Sequence, residues 1–302
     1  MKKLFFCCLL LQTFLPLATK AQQYDPPWNP APQGGVNFTI HGIDNAPDLY
    51  GDPEDAQLVL FFAGNQYMVI DDLLGAFKKA YPQYQRIFAE TLPPGILARQ
   101  IETGSLVVGN LRLHIKPDVY TAGKEKMEAS KDWFSHTTAY ARNRLAIMVA
   151  AGNPKEVHDL KDLGRADVKV SMPNPAWEGI AKKIEEAYRR AGGEKLRQQI
   201  METKVKNGTT RLTQIHHRQT PLNILNGVAD AGPVWYTEAW YHKLIGHPVE
   251  AIELPDTQNI FATYVAGALR AAPHPQAAAD FLDFLKTPAA QAVYRKYGFE
   301  AP

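Results

Sequence analysis

Leu58-Val-Leu-Phe-Phe-Ala-Gly-Asn-Gln66 is an apolar run that ends in a small, polar turn. A stretch with apolar residues at helical spacing follows at once, with Ile70, Leu73, Leu74 and Phe77 set among Asp and Lys. Such a run, closed by Gly and Asn, reads as a buried strand, and the spacing after it reads as an amphipathic helix over residues 69–81.

The alternation continues outward from this pair. Residues 85–90 read as a second strand, 95–104 as a helix ended by its own glycine, 118–122 as a third strand, and 124–127 as the opening of another helix. Residues 144–150 form a long apolar strand, the natural crossing into a second lobe. Beyond it, 157–163 reads as a short helix and 168–172 as a strand. Residues 177–191 read as an amphipathic helix with Ile180, Ile184, Ala187 and Tyr188 inward, stopped by Gly192-Gly193. On that helix Lys182, Lys183, Glu185, Glu186 and Arg189 are expected to face water. A helix over 220–226, strands over 230–236 and 260–269, and closing helices over 275–286 and 288–297 complete the pattern. Strand–helix alternation predicts an α/β fold with a parallel sheet covered on both faces. Ligands of such sheets sit outside the carboxyl ends of the strands.

Residues 1–21 have the layout of a signal peptide: Lys2 and Lys3, a mostly apolar segment too short to span a bilayer, and Thr19-Lys20-Ala21 as the cleavage site. The alternative is a buried N-terminal helix. Cys7 and Cys8 both lie here, so the mature chain is expected to have no cysteine and no disulfide. Removing the leader's three lysines leaves 30 basic against 31 acidic residues, a net charge of about −1. That argues against nucleic acid, which wants a basic face, and leaves room for a small anion held by local potential. Residues 22–56 form a Pro-rich extension: Asp25-Pro-Pro-Trp-Asn-Pro-Ala-Pro32 can hold neither a helix nor a central strand. Trp28, Phe38 and Tyr50 are its candidate anchors. The remaining length of about 280 residues suits two lobes, because single cores stop growing near 250–300 residues. These are placed at 57–140 plus 248–302 and at 141–247. The mature chain has no cysteine nucleophile, no Gly-x-Ser-x-Gly turn, no His-Glu-x-x-His helix and no phosphate-cradling glycine loop, so no enzyme is expected.

Five phrases, in order, resemble the molybdate-binding family of periplasmic solute-binding proteins. They are Gly95-Ile-Leu-Ala-Arg-Gln-Ile-Glu-Thr-Gly104, Asp118-Val-Tyr-Thr-Ala122, Asn153-Pro-Lys-Glu-Val-His-Asp-Leu-Lys-Asp-Leu163, Asn226-Gly-Val-Ala-Asp-Ala-Gly232, and the Pro-x-Ala-Ala-x-x-Phe-x-x-Phe-Leu core that begins at Pro275. The resemblance implies a two-lobed type II binding-protein fold, each lobe a mixed, mostly parallel sheet flanked by helices. It also implies a monomer that carries a molybdate-, tungstate- or sulfate-like oxyanion to the permease of an ABC transporter. No cofactor is implied.

The family holds its anion with hydroxyls and backbone N–H groups at helix starts, where unpaired donors meet the positive dipole end. Four places here match. They are Gly64-Asn65-Gln66, Pro93-Pro94-Gly95, Ala176-Trp177-Glu178, and His216-His217-Arg218-Gln219-Thr220. Trp235 and Tyr236 fall where the family places a ligand-facing tyrosine. Asn65 serves as a contact or as a helix N-cap. Trp177 and Trp235 serve as cleft walls or as core. His217 and Arg218 serve as anion contacts or as a solvated loop. Arg144 reaches the ligand or salt-bridges the hinge. A weaker alternative makes His216, His217 and Glu178 metal ligands, or the cargo a metal complex or small organic acid. A ligand-presenting sensor is a further alternative, motivated by the extension.

Overall fold

The computed structural model describes residues 49–108, 111–176, 178–214 and 219–302. The leader, most of the extension, Trp177, and His216, His217 and Arg218 lie outside the described residues. In chain order the strands are β1 (Leu49–Tyr50), β2 (Leu58–Ala63), β3 (Ile87–Leu92), β4 (Leu106–Val108), β5 (Leu111–Leu113), β6 (Val119–Gly123), β7 (Phe134–Ala150), β8 (Val170–Met172), β9 (Thr210–Leu212), β10 (Ala231–Trp235), β11 (Val249–Glu253) and β12 (Phe261–Leu269). The helices are α1 (Ile70–Ala80), α2 (Pro94–Thr103), α3 (Lys124–Ala129), α4 (Gly179–Gln198), α5 (Lys204–Lys206), α6 (Gln219–Leu225), α7 (Tyr236–Leu244), α8 (Pro275–Leu285) and α9 (Pro288–Lys296).

The expected α/β class is what forms, as a curled mixed sheet in the order β1-β3-β2-β6-β12-β7-β10-β8-β9. Two parallel ladders, β3-β2-β6 and β10-β8-β9, form the centres of its two halves. Antiparallel pairs join them through β12 and β7. β2 explains the first half. Leu58, Leu60 and Phe62 pack in one core with α1, α8 and α9, while Val59 and Phe61 pack in another with α2. The second half repeats the arrangement. Leu145, Ile147 and Val149 meet Ile184 and Tyr188 of α4, and Met148 meets Ile224 and Ala239 of α6 and α7.

β7 is the element that spans both halves. Phe134–Arg144 pairs with β12, and Leu145–Ala150 pairs with β10 on one edge and β11 on the other. The crossing strand read from 144–150 is therefore only the last seven residues of a 17-residue strand. Its proximal part was hidden because Ser135, His136 and Thr137 are exposed and break the apolar run. β7 changes partners between Arg144 and Leu145, and β11 pairs with its distal part.

β12 and β11 succeed one another along the same edge of β7, and the gap between them falls at Leu145. The Asn259 side chain fills it. Leu145 N–H donates to Asn259 Oδ1 at 2.9 Å, and Asn259 Nδ2 donates to the Leu145 carbonyl at 3.0 Å. An amide thus stands in for one residue of missing strand.

The short helix expected over 157–163 does not form. The His158 and Asp159 N–H groups donate to Asp162 Oδ2, and that of Lys161 donates to Asp159 Oδ1, so side chains take the donors a helix would use. Only Asp162–Gly164 makes a 3-10 turn. At Gly192-Gly193 the backbone does leave helical geometry, with Gly193 at φ +70°, but the chain resumes a helix immediately afterwards. Of the extension's proposed anchors, Tyr50 is described. It lies in β1, paired with β3, and its hydroxyl donates to the Tyr67 carbonyl.

Asn259→Leu leaves both polar groups of Leu145 buried without partners. At about 1–3 kcal/mol for each orphaned group, we expect a loss of about 2–4 kcal/mol in urea unfolding. A loss below about 0.5 kcal/mol would show that the side chain does not replace the ladder. A second prediction concerns Glu90, fully buried on β3, where Gln100 Nε2 donates to its Oε1 at 3.2 Å. Burial pushes this carboxyl up to about 7 from an ordinary 4.5, and the Gln100 hydrogen bond offsets only part of that. The folded state then binds the proton more tightly than the unfolded state. Its stabilising effect is full below about pH 4.5 and is lost as pH rises towards 7. Glu90→Gln should remove this slope and be more stable than the parent at pH 8 by about 2–3 kcal/mol. A parent–variant difference that stays constant from pH 4.5 to 8 contradicts this reading.

Candidate functional site

β2 ends at Ala63, and the chain turns at Gly64 into a 3-10 turn, Gly64–Val69, that leads into α1. A methyl group on Gly64 would stand 3.2 Å from the Leu92 carbonyl carbon and 3.4 Å from Pro93 N. The glycine therefore lets the β2 turn sit against the start of α2. Both turns open into a cavity of about 520 Å³. From the first half it is lined by Ala63 and Asn65, by Pro93, Pro94 and Gly95, and by Gly123, Glu125 and Lys126 at the start of α3. From the second half come Gly179, Ile180, Lys182 and Lys183 at the start of α4, together with Trp235. Ala262 and Tyr264 of β12 complete the wall. The cavity sits at the carboxyl ends of β2, β3 and β6, as the parallel ladder dictates.

Asn65 is buried at 3% exposure, and its Nδ2 donates to the Tyr264 hydroxyl. It does not stand at the N-cap of the turn, which is Ala63, nor at that of α1, which is Val69. Burial pushes the Tyr264 phenol well above its usual range, so it stays a neutral hydroxyl. Gln66, one residue on, points elsewhere. Its Nε2 donates to Tyr140 Oη at 2.5 Å, and its Oε1 accepts from the Tyr294 hydroxyl at 3.2 Å. In a 3-10 turn successive side chains lie about 120° apart, so neighbours cannot share one wall. Gln66 belongs to the polar core behind the cleft.

Tyr236 is not among the residues that line the cavity. Its ring lies under the Arg144 guanidinium at 4.0 Å and stacks on Trp240, away from the cavity. Arg144 in turn pairs with Glu253 at 2.9 Å and Glu300 at 2.5 Å, so it braces the crossing. Trp235 lines the cavity while packed in the second half's core. Glu178 is buried, and its Oε1 accepts from Thr213 Oγ1 and the Asn174 N–H. It is not among the residues that line the cavity. Its place at the head of α4 is taken by Gly179, on which an added Cβ would meet nothing within 4 Å. Trp177, His217 and Arg218 fall outside the described residues. So does His216, the third partner of the metal alternative. Among the described residues no group of three or more His, Cys, Asp or Glu is placed to hold a metal ion.

The lysines are what the sequence reading missed. Lys182 and Lys183, read as the water face of α4, line the cavity together with Lys126. The signal was their position within one turn of the helix start. Lys183 Nζ lies 3.5 Å from Glu125 Oε1, an ion pair between α4 of one half and α3 of the other. The Glu125 carboxyl is held below its usual range, first by a hydrogen bond from its own backbone N–H; burial opposes this, and the charge and hydrogen bond of Lys183 add to the lowering. Three lysines against one glutamate leave the cavity positive.

The chain matches the family model of the bacterial extracellular solute-binding proteins over residues 58–300. It is 24% identical over 173 residues to the molybdate-binding protein ModA of Mycobacterium bovis. That match covers 55% of this chain and 58% of the relative, so the chain spans little more than half of the relative's length. The fold is similar to that of the periplasmic molybdate-binding protein of Azotobacter vinelandii, with a TM-score of 0.65 and 16% identity over 81% of this chain and 99% of that one. It is also similar to that of the sulfate-binding protein SubI of Mycobacterium tuberculosis, with a TM-score of 0.64 and 21% identity over 81% and 86% of the two chains.

An added Cβ on Gly95 meets nothing within 4 Å and the residue faces the cavity. Gly95→Trp should therefore fill the gap at no cost to the fold. Relief of a helical glycine predicts a melting temperature unchanged or raised by about 2 °C. A fall of several degrees would show that the position is packed.

Proposed function

This chain belongs to the bacterial extracellular solute-binding protein family, and we propose that it captures a small oxyanion between its two halves and hands it to an ABC-type permease. Members of the family are binding proteins, and no covalent step is needed. The observation that carries the reading is convergence. The first turn after β2 and the starts of α2, α3 and α4 border one gap, with three lysines on its wall. Helix starts supply N–H donors and a positive dipole end, and the lysines add charge. The molybdate- and sulfate-binding relatives make an oxyanion the reading for the cargo. Asn65, the Gly95 backbone, Lys126, Lys182 and Lys183 are the proposed contacts, with Trp235 as a wall. His217 and Arg218, just before α6, are proposed to reach the same gap, with Trp177 beside the head of α4.

Closure of the two halves on the ligand is part of the proposal, and the topology supports it. β7 and β12 run between the halves. A ligand that touches both sides stabilises the shut form. No helix among the described residues is long and apolar enough to cross a membrane. Export through residues 1–21 to the periplasm is part of the proposal.

Calorimetry of the mature protein against molybdate, tungstate, sulfate, phosphate and small organic phosphates and carboxylates tests the reading. At least one should bind saturably, more weakly as salt rises. The Lys182→Met/Lys183→Met pair should weaken that binding at least about tenfold. Absence of saturable binding with the whole panel overturns the proposal and leaves the fold untouched.

A further inference from the structure

We infer that the anion taken by this cleft carries an organic body, a phosphate or carboxylate joined to an apolar portion that packs between Trp235, Ile180 and the Pro93-Pro94 pair. The inference rests on the reading of the cleft as an anion site and narrows its ligand class.

Size is the first argument. A cavity of about 520 Å³ falls within the range of about 300–1,000 Å³ typical of sites for small organic molecules. A tetrahedral oxyanion has five heavy atoms and fills roughly the space of two or three waters, each about 30 Å³. The Lys183–Glu125 pair bridges α4 and α3 at 3.5 Å on one side of this space.

The chemistry of the wall is the second argument. A desolvated tetrahedral anion needs donors on every side, because each unpaired oxygen loses water without return. The start of α2 cannot supply them. Pro93 and Pro94 have no N–H, and the Ile96 and Leu97 N–H groups both donate to the Pro93 carbonyl, at 2.8 and 3.2 Å. Gly95 is left as the one backbone donor of that turn. Ring carbons of two prolines, an isoleucine and an indole form the surface instead. The polar groups divide into a buried floor, Asn65 and Tyr264, and a rim where Lys126 and Lys182 are exposed. Glu125 neutralises Lys183 and leaves those two lysines for the ligand's charge. Such a site suits a charged head at the rim and carbon along the wall below it, above a floor where Asn65 already donates to Tyr264.

The test is calorimetry at pH 7 and fixed salt with matched probes: phenyl phosphate, benzoate and phosphoenolpyruvate against inorganic phosphate, sulfate and molybdate. The best organic probe should bind at least about tenfold tighter than the best inorganic one, the yield of burying a modest apolar area. Trp235→Leu should lose that margin. Pro94→Ser, at a half-buried surface position where folding is not at stake, restores a backbone donor and a hydroxyl, and should shift the preference several-fold towards the inorganic ions. Equal or tighter binding of an inorganic ion by the parent protein overturns this inference and leaves the anion-binding reading standing. Failure of every probe overturns both.

Discussion

One strand carries hydrogen bonds for both halves of the sheet. β7 gives its first eleven residues to β12 and its last six to β10 and β11, without a break in the chain. Everything else is arranged around that hand-over. At the change of partner the edge of the strand would be left with an unpaired N–H and C=O, and Asn259 supplies both counterparts. One residue earlier, Arg144 is fixed by Glu253, Glu300 and the face of Tyr236. The C-terminal Glu300 also pairs its backbone with Arg142. The crossing is therefore braced from the second half, from the chain terminus and from a side-chain amide. Most of each core lies on its own side of the Arg144–Leu145 junction.

The cleft is a consequence of the same geometry. Parallel ladders in both halves direct their carboxyl ends, and so the turns that follow, towards the crossing. Gly64 lets the first turn approach the second, while Gly95 and Gly179 keep side chains out of the space between them. What fills the wall is then decided residue by residue: lysines where a helix begins with its polar face to the gap, and prolines where a donor could have been. Electrostatics at the rim and carbon beneath it follow from those few choices and from no larger feature of the fold.

Much of the architecture was legible because periodicity is dense where burial is complete. β2, α1, the closing helices and the glycine end of α2 could be read from spacing to within two residues. Legibility failed where a side chain competes with the backbone or where one face of a strand is wet. The carboxylates of Asp159 and Asp162 dissolved the expected helix at 157–163, and Thr137 and His136 concealed half of β7. At the site the limit was of a different kind. A helical pattern shows which side of α4 turns away from the core, but not whether that side meets water or a cleft, so Lys182 and Lys183 were read as solvated. Adjacent positions suffered likewise. Asn65 and Gln66 are indistinguishable in sequence, yet the tight turn aims one at the gap and the other at Tyr140.

The account stands on anion capture in the gap between the heads of α2 and α4. Amide hydrogen exchange of the protein, compared with and without a saturating anion, addresses that directly. The account predicts slower exchange at residues 64–66, 95–96, 123–126 and 179–183, with little change on the outer faces of α1 and α8. Protection confined to another surface, with these four segments unchanged under saturation, would contradict it.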